Sequence, residues 1–220
     1  MKFDQYHISS AIKKNLEILG FKRPTDIQYK AIPSIMKGED VLAIAQTGTG
    51  KTAAFAIPVI DSIHRMKRSR RSDGIKCIVM VPTRELAAQI GSVFDELSRH
   101  TKVTAFALFG GVEQDPQVRK LAKGIDILIA TPGRMFDLIS QGAISLNQIS
   151  TLILDEADQM LDLGFINDIA AIKKKLVKKH QTLFFSATIN QEIKKLAFSQ
   201  VKSSAIRIQI SPEDPVSKNV

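Results

Sequence analysis

Short apolar runs alternate along the chain with longer segments in which apolar and polar residues are mixed. Several runs are apolar at nearly every position, which is typical of strands buried on both faces of a parallel sheet. Strands that alternate with amphipathic helices indicate an α/β fold, here a predominantly parallel sheet of about seven strands flanked by helices on both faces. The predicted strands are Val41–Ile44, Ile75–Val81, Thr104–Leu108, Ile125–Ala130, Thr151–Leu154, Thr182–Phe185 and Ile206–Ile210.

Local capping signals predict where some of the helices begin and end. Ser9 and Ser10 precede the amphipathic segment 11–19 as possible caps, and Gly20 follows it. Serine is a favoured N-cap and glycine a favoured helix terminator. The dipeptide Asp115–Pro116 predicts a further helix with Asp115 as its N-cap and Pro116 as its first residue.

The length and composition are those of an ordinary globular protein. The chain has 220 residues, of which 44% are hydrophobic and 24% charged, so disorder and fibrous repeats are excluded. The last ten residues, SPEDPVSKNV, contain two prolines and few apolar side chains. We expect one domain over residues 1–210 and a linker over residues 211–220 that leads towards a second domain.

Cysteine usage and hydropathy predict the compartment. The single cysteine, Cys77, cannot form an internal disulfide, and its apolar surroundings predict a buried, inert thiol. The start of the chain does not resemble a signal peptide. The longest apolar run, Ala53–Ile60, is shorter than the ~20 residues that span a bilayer. The sequence therefore predicts a cytoplasmic protein without a membrane segment.

The segment AQTGTGKT at 45–52 lies between a predicted strand and a predicted helix. It matches the phosphate-binding P-loop pattern, with alanine in the first glycine position. Such a loop directs backbone amides at phosphate oxygens, and its lysine reaches the β- and γ-phosphates while the last hydroxyl binds Mg²⁺. The alternative is a chance glycine-rich turn. The predicted nucleotide-binding residues are Ala45, Gln46, Thr47, Gly48, Thr49, Gly50, Lys51 and Thr52, with Thr52 also a metal ligand.

An acidic cluster at 155–158 follows the predicted strand Thr151–Leu154 directly. Asp155, at the end of the strand, is suited to binding Mg²⁺ through water. Glu156 is then placed to orient or deprotonate an attacking water molecule. Acidic clusters are also common at solvated helix starts, where the helix dipole favours them. The preceding P-loop favours the metal-binding interpretation.

The acidic cluster reads DEAD, and the chain resembles the first RecA-like domain of DEAD-box ATP-dependent RNA helicases. The resemblance extends from about Phe3 to Ile210, and LDEADQMLDLGF and FFSAT are similar to bacterial members of the RhlE-like subgroup. Seven motifs occur in the order found in the family: GFKRPTDIQ at 20–28, AQTGTGKT at 45–52, PTRELA at 82–87, GG at 110–111, TPGR at 131–134, DEAD at 155–158 and SAT at 186–188.

The resemblance implies ATP and Mg²⁺ as cofactors and Lys51, Asp155 and Glu156 as the catalytic residues. It also implies that Gln28 recognises adenine, since an amide that donates and accepts suits the N6 and N7 edge of that base. Phe21 is expected to stack on the base. The alternative for this ring is a place in the core.

The resemblance further implies an RNA-binding surface at the ends of several strands. Glycine, threonine, arginine and free amides suit phosphate oxygens, so backbone contacts with little sequence preference are expected. For Pro82 and Pro132 the alternative is simple loop punctuation. The implied RNA-binding residues are Pro82, Thr83, Arg84, Gly110, Gly111, Thr131, Pro132, Gly133 and Arg134.

Hydrolysis is coupled to RNA binding in the family through the SAT motif. The resemblance implies that the hydroxyls of Ser186 and Thr188 bond with Asp158. The alternative is a small turn that caps a helix starting near Asn190, and both can hold at once.

The family's working unit has a second RecA-like domain, which supplies further RNA contacts and an arginine finger. No second half follows the SAT motif in this sequence. We therefore expect a monomeric fragment that binds nucleotide but barely hydrolyses ATP or unwinds RNA. A non-catalytic RNA-binding module and another class of P-loop ATPase are the alternatives.

The formal net charge of +9 favours a polyanionic partner such as nucleic acid. Ten basic residues lie in two short runs, 65–71 and 173–179, and without them 21 basic residues face 22 acidic ones. Both runs precede predicted strands, which places them at the amino edge of a parallel sheet, whereas ligands bind at the carboxyl edge. They form either a solvated face or an auxiliary RNA tether.

Overall fold

The predicted strands form one sheet in a computed structural model of the protein, which describes residues 2–210. The predicted linker at 211–220 lies outside the described residues. The strands pair in the order β3-β4-β2-β5-β6-β1-β7, and every pair is parallel. The strands are β1 (Val41–Ile44), β2 (Cys77–Met80), β3 (Ala105–Leu108), β4 (Ile127–Ala130), β5 (Thr151–Leu154), β6 (Gln181–Ser186) and β7 (Ile206–Gln209).

Helices connect the strands, and within residues 2–210 none is both long and apolar enough to cross a membrane. A short 3-10 helix at Phe3–Gln5 precedes them. The α-helices are α1 (Ser10–Ile18), α2 (Asp26–Met36), α3 (Lys51–Met66), α4 (Arg84–Ser98), α5 (Gln114–Ala122), α6 (Pro132–Ser140), α7 (Ala157–Asp162), α8 (Ile166–Lys175) and α9 (Gln191–Gln200).

Two hydrophobic clusters cover the two faces of the sheet, because successive strand residues point to opposite sides. In β1, Val41 and Ala43 pack against helices α1 to α4, whereas Leu42 and Ile44 pack on the side of α5 to α9. This double burial explains why the strands are apolar at nearly every position. Cys77 is buried in the first cluster, and burial raises the pKa of its thiol, as the sequence predicts for an inert cysteine.

Helix α1 agrees with its predicted caps, but the predicted start of α5 is wrong. Ser9 is the N-cap of α1, and Gly20 has a left-handed φ of +76° beyond its end. Helix α5 begins at Gln114, one residue before the predicted N-cap, so Pro116 is its third residue. Proline fits there because the first four backbone N–H groups of a helix have no partner within the helix.

All strands point the same way, so their carboxyl ends share one edge of the sheet. The P-loop follows β1, the acidic cluster follows β5 and the SAT motif ends and follows β6. The strand order places these three strands side by side, and it likewise makes β2, β4 and β3 neighbours. The fold therefore gathers the predicted motifs into two adjoining groups at the edge where ligands bind in parallel α/β sheets.

Candidate functional site

The P-loop is shaped by two glycines in the left-handed region of φ. Gly48 has a φ of +79° and Gly50 a φ of +90°, and helix α3 begins directly after Gly50. A Cβ atom on Gly50 would lie 2.5 Å from Nε2 of Gln28. The left-handed backbone therefore favours glycine at position 50, and a side chain there would displace the Gln28 amide.

A cavity of about 390 Å³ lies against this loop, between the start of α3 and the end of β5. The side chain of Lys51 is buried (6% exposed), and its Nζ has no hydrogen-bond partner among residues 2–210. A buried ammonium without a partner is costly, and an anion in the cavity would compensate it. Predicted site residues that line the cavity are Thr47, Gly48, Gly50, Lys51, Thr52, Asp155 and Glu156.

Asp155 supplies a carboxylate to the same cavity. The residue is only 3% exposed, and burial raises the pKa of its carboxyl to about 6, although nearby Lys51 opposes the shift. Carboxylate and hydroxyl oxygens are the ligands that Mg²⁺ prefers, and the cavity offers them on Asp155 and Thr52. The donor set therefore fits a magnesium ion bound together with phosphate.

Glu156 has an unusual backbone conformation. Its φ of +51° is the only left-handed value of a non-glycine residue in the described chain. The N–H group of Glu156 donates to Oδ1 of Asp155 at 3.0 Å, and helix α7 begins at the next residue. Strained backbone of this kind persists where surrounding structure imposes it, commonly at functional sites. Here it places the Glu156 side chain, half-buried, in the cavity wall.

The amide of Gln28 lies between helix α2 and the P-loop. Its Oε1 accepts from the N–H of Thr25 at 3.0 Å, and its Nε2 donates to the carbonyl of Gly50 at 3.2 Å. Gln28 is 3% exposed, yet each amide atom retains the capacity for a second hydrogen bond. Adenine recognition by Gln28 stays a prediction, and the structure adds a role in holding the loop.

Thr25 also contacts the P-loop, which the sequence analysis missed. Its hydroxyl donates to the carbonyl of Thr49 at 2.8 Å, and Thr25 is the N-cap of α2 in a capping box with Gln28. The signal was present, since threonine followed three residues later by glutamine is the capping-box pattern.

Four residues of helix α4 that line the cavity were also missed. They are Leu86, Gln89, Ile90 and Val93. They share one face of α4, because residues three and four apart are neighbours on a helix. That spacing is visible in the sequence, but the cavity that the face borders depends on how α4 packs against α3.

The ring of Phe21 is half-buried and meets Phe3 edge to face, with 5.8 Å between ring centroids. Phe3 is buried in the core, and both rings border a hollow of about 880 Å³. The structure therefore gives Phe3 a packing role, and stacking of a base on Phe21 stays a prediction.

The implied RNA-binding residues meet where β2, β4 and β3 end. Arg84 is exposed at the start of α4, and its Nη1 would lie 3.3 Å from a Cβ on Gly111. Arg134 donates from Nη2 to the carbonyl of Val112 at 3.0 Å. Two guanidinium groups therefore flank the glycine loop after β3, an arrangement suited to phosphate oxygens.

The remaining residues of this group are at strand–helix junctions. Thr83 and Thr131 are the N-caps of α4 and α6, and Gly110 lies in the loop beside exposed Gly111. Gly133 is exposed in the first turn of α6, whereas Pro82 and Pro132 are buried. The burial of both prolines favours their interpretation as loop punctuation, with RNA contacts left to their neighbours.

The carboxylate of Asp158 joins α7 to the SAT turn. Its Oδ2 accepts from the N–H of Thr188 at 2.9 Å and from the hydroxyl of Thr188 at 3.0 Å. Burial raises the pKa of Asp158, but the hydrogen bonds outweigh this effect and the net pKa is lowered. The Ser186 hydroxyl instead donates to the carbonyl of Thr188 at 2.9 Å, which stabilises the turn. Asn190 caps α9 by accepting from the N–H of Ile193.

Comparison with known proteins shows similarity to helicases along nearly the whole of this chain. The chain is 41% identical over 209 residues to "Probable ATP-dependent RNA helicase ddx27" of Dictyostelium discoideum, covering 94% of this chain and 26% of that protein. It is 40% identical to "DEAD-box ATP-dependent RNA helicase CshA" of Bacillus cereus, covering 89% of this chain and 36% of that protein. The chain thus spans about a quarter to a third of these relatives.

Solved structures agree with this similarity. The chain superposes with a TM-score of 0.87 and 36% identity on the crystal structure of a DEAD box protein from the hyperthermophile Methanococcus jannaschii, covering 96% of this chain and 56% of that one. The family model described as "DEAD/DEAH box helicase" matches residues 25–196. This match takes in the P-loop, the acidic cluster and the SAT motif. The chain belongs to the DEAD/DEAH box helicase family, of which it contains the N-terminal RecA-like domain.

Proposed function

We propose that this chain is the ATP-binding half of an RNA helicase that couples ATP binding and hydrolysis to local unwinding of RNA. The observation that carries the proposal is the buried ammonium of Lys51, which has no hydrogen-bond partner among residues 2–210 and lies beside Asp155 in the cavity of the P-loop. This pairing of a cation for phosphate with a carboxylate for Mg²⁺ is what phosphoryl transfer requires. Relatives that carry the name ATP-dependent RNA helicase support the assignment.

The residues that line the cavity have different roles in the proposed hydrolysis. Lys51 binds phosphate oxygens, and the carboxylate of Asp155 and the hydroxyl of Thr52 would hold Mg²⁺. When bound, the metal neutralises negative charge on the phosphates. Glu156 orients the attacking water and accepts its proton, which its position in the cavity wall permits.

The second group of residues binds the RNA backbone. Arg84 and Arg134, with the free amides around Gly110 and Gly111, supply donors to phosphate oxygens and no fixed fork to a base edge. The bonds between Asp158 and Thr188 link the cavity side of the domain to the SAT turn. Movement of that turn on RNA binding would therefore be transmitted to the acidic cluster through Asp158.

Hydrolysis is proposed to need a second RecA-like domain that this chain does not include. An arginine finger raises the rate of related phosphoryl transfers by ~10³–10⁵. The isolated, monomeric chain should therefore bind ATP yet hardly hydrolyse it. A cytoplasmic location and membership of the RhlE-like subgroup stay predictions.

The test compares ATP binding and hydrolysis by this chain and by a longer protein containing both domains, each with and without RNA. We expect ATP binding by both and RNA-stimulated hydrolysis by the longer protein alone. The substitution Gln28→Ala should weaken the binding of ATP more than the binding of GTP. RNA-stimulated turnover by the 220 residues would contradict the fragment proposal, and RNA binding without any ATP binding would indicate a non-catalytic RNA-binding module.

A further inference from the structure

The structure brings the two basic runs together at the amino edge of the sheet. Residues 68–71 precede β2 and residues 178–179 precede β6, and both border one hollow of about 530 Å³. Two more exposed lysines, at the end of α5 and just beyond it, extend this surface. We call it the amino-edge band, and it consists of Arg68, Arg70, Arg71, Lys120, Lys123, Lys178 and Lys179.

Three residues of the basic runs have structural roles and lie outside the band. Arg65 pairs with Asp61 at 2.7 Å. Lys67 pairs with buried Asp126 at 2.6 Å. Lys173 donates to the backbone carbonyls at the end of α9. In contrast, no band residue forms an ion pair within residues 2–210.

The band is continuous across the sheet. A hollow near β3 and β4 shares Arg71 with the central hollow, and a third hollow near β6 and β1 shares Lys178 and Lys179 with it. The five strands from β3 to β6 are separated by four spacings of about 4.8 Å, or about 19 Å in all. This length matches roughly six phosphate steps of one strand in a duplex.

The loop that carries the arginines is anchored to the domain. Lys67 holds Asp126, and the ammonium of Lys102 donates to the carbonyl of Lys67 at 2.9 Å. The hydroxyl of Ser72 donates to the carbonyl of Ile125 at 2.8 Å. The cations are thus presented from a fixed backbone, which lowers the ordering cost of binding.

The composition of the band favours phosphate over a protein surface. Of the carboxylates that border the three hollows, Asp73 pairs with Lys76 and Asp40 with Lys202, so Asp95 is the one without an ion pair in the described chain. Within residues 2–210, no phenylalanine, tyrosine or tryptophan lines the hollows, and His180 is the one ring that borders them. Protein interfaces are anchored by buried aromatic and apolar groups, and base stacking needs aromatic rings, whereas phosphate binding needs cations alone.

We propose that the amino-edge band is a second nucleic-acid site, which binds the phosphate backbone of RNA outside the segment held by the motifs. The inference rests on the proposed function, since it takes the partner to be RNA. The band lies at the opposite edge of the sheet from the P-loop and Arg84. It therefore holds a flanking duplex or strand and tethers the domain without contacting the bases.

The experiment measures binding of the 220-residue chain to a labelled RNA duplex with a single-stranded extension, over a range of salt concentrations. The band variant carries R68Q, R71Q and K179Q. The control variant carries K30Q, K194Q and K195Q, which remove the same charge from exposed lysines that form no ion pair with any of the described residues. A third variant, R84A, tests the motif surface.

Log affinity falls as log salt rises, and the loss of three phosphate contacts should reduce the steepness of this fall by about 2. At about 0.1 M salt the affinity of the band variant should then be roughly 100-fold weaker, with the control variant near the parent chain. Bound RNA should also protect Lys178 and Lys179 from an acylating reagent while leaving Lys194 and Lys195 reactive.

The other outcomes contradict the proposal in distinguishable ways. If R84A weakens RNA binding while the band variant behaves like the control, the proposed function stands and the band is a solvated face. If inorganic phosphate protects Lys178 and Lys179 as well as RNA does at equal phosphate concentration, the site binds free anions. If the parent chain does not bind RNA at all, the proposed function fails together with this inference.

Discussion

Single residues of the P-loop satisfy two constraints at once, and Gly50 is the clearest example. Its φ of +90° disfavours any other residue, and its missing side chain makes room for Gln28. Gly164 isolates the first constraint, because its φ is +82° and a Cβ there would meet no atom of residues 2–210 within 4 Å. The comparison of the two positions separates backbone strain from steric conflict.

We predict that Gly50→Ala destabilises the domain more than Gly164→Ala does. The control substitution should cost about 1–2 kcal/mol for the left-handed backbone alone. At Gly50 the Gln28 amide must also move, which breaks its bond to the Gly50 carbonyl and adds about 1 kcal/mol. Urea unfolding of both variants measures the difference, and equal losses would show that Gln28 adapts freely.

Asp155 makes stability depend on pH when Mg²⁺ and nucleotide are absent. Its folded pKa of about 6 lies above the ordinary value of 3.8, so the folded state binds the proton more tightly than the unfolded state. Stability is therefore lost as pH rises from about 4 to 6. The substitution Asp155→Asn removes this titration.

We predict that the unfolding free energy of Asp155→Asn, relative to the parent chain, rises by up to about 3 kcal/mol between pH 4 and pH 7. Only this change with pH is predicted, since the substitution also alters the surroundings of Lys51. Denaturant unfolding at both pH values, without metal, provides the measurement. A difference that does not vary with pH would show an unperturbed Asp155.

At the residue scale, site residues could be predicted from the sequence where they belong to a short motif that follows a strand. Lys51, Asp155 and Glu156 were predicted from their places after strands, and they line one cavity. The bonds from Gln28 and Thr25 to the P-loop were not predicted, because they join residues more than 20 positions apart. Such contacts depend on how α2 packs against α3.

At the scale of elements, the loop between α3 and β2 shows that neighbouring cations have different roles. Lys67 is turned inward to Asp126, which also accepts from the N–H and hydroxyl of Thr104. Arg68, the next residue, is exposed and forms no ion pair in the described chain. The ion pair thereby fastens this loop to the start of β4.

We predict that Lys67→Gln destabilises the domain by about 3 kcal/mol, because it leaves the carboxylate of Asp126 buried without its cation. The neighbouring substitution Arg68→Gln should change stability by less than about 0.5 kcal/mol. Both remove one positive charge, so a general charge effect would lower stability equally. Thermal or urea unfolding distinguishes the two results.

The strands were the most predictable elements, whereas the start of α5 and the separate roles within the charge runs were predicted poorly. Two predicted strands, Val41–Ile44 and Thr151–Leu154, have the observed bounds, because burial on both faces leaves a continuous apolar signal. The predicted start of α5 was wrong because acidic residues near a helix start stand at both Glu113, which is the observed N-cap, and Asp115, which was the predicted one. The basic runs looked uniform in the sequence, because the partners of Lys67 and Lys173, which are Asp126 and two backbone carbonyls of α9, lie in distant segments of the chain.

At the scale of the whole molecule, the nucleotide cavity is built from segments that belong to both hydrophobic clusters. Helix α3 packs on one face of the sheet, and α7, which follows the acidic cluster, packs on the other. A ligand that joins Lys51 to Asp155 therefore connects the two sides of the domain. Binding should consequently stabilise the entire fold and not the P-loop alone.

We predict that ATP with Mg²⁺, at about 100 times its dissociation constant, raises the unfolding free energy of the chain by about 2.7 kcal/mol. Lys51→Met should abolish this gain, because it removes the ammonium that binds phosphate, whereas Lys194→Met, at an exposed position of α9, should retain it. At equal concentration GTP should stabilise less than ATP if the adenine prediction for Gln28 holds. The measurement is denaturant unfolding monitored at one probe on each side of the sheet. Coincident shifts at both probes are expected, and a shift confined to one side would contradict the coupling of the two clusters through the cavity.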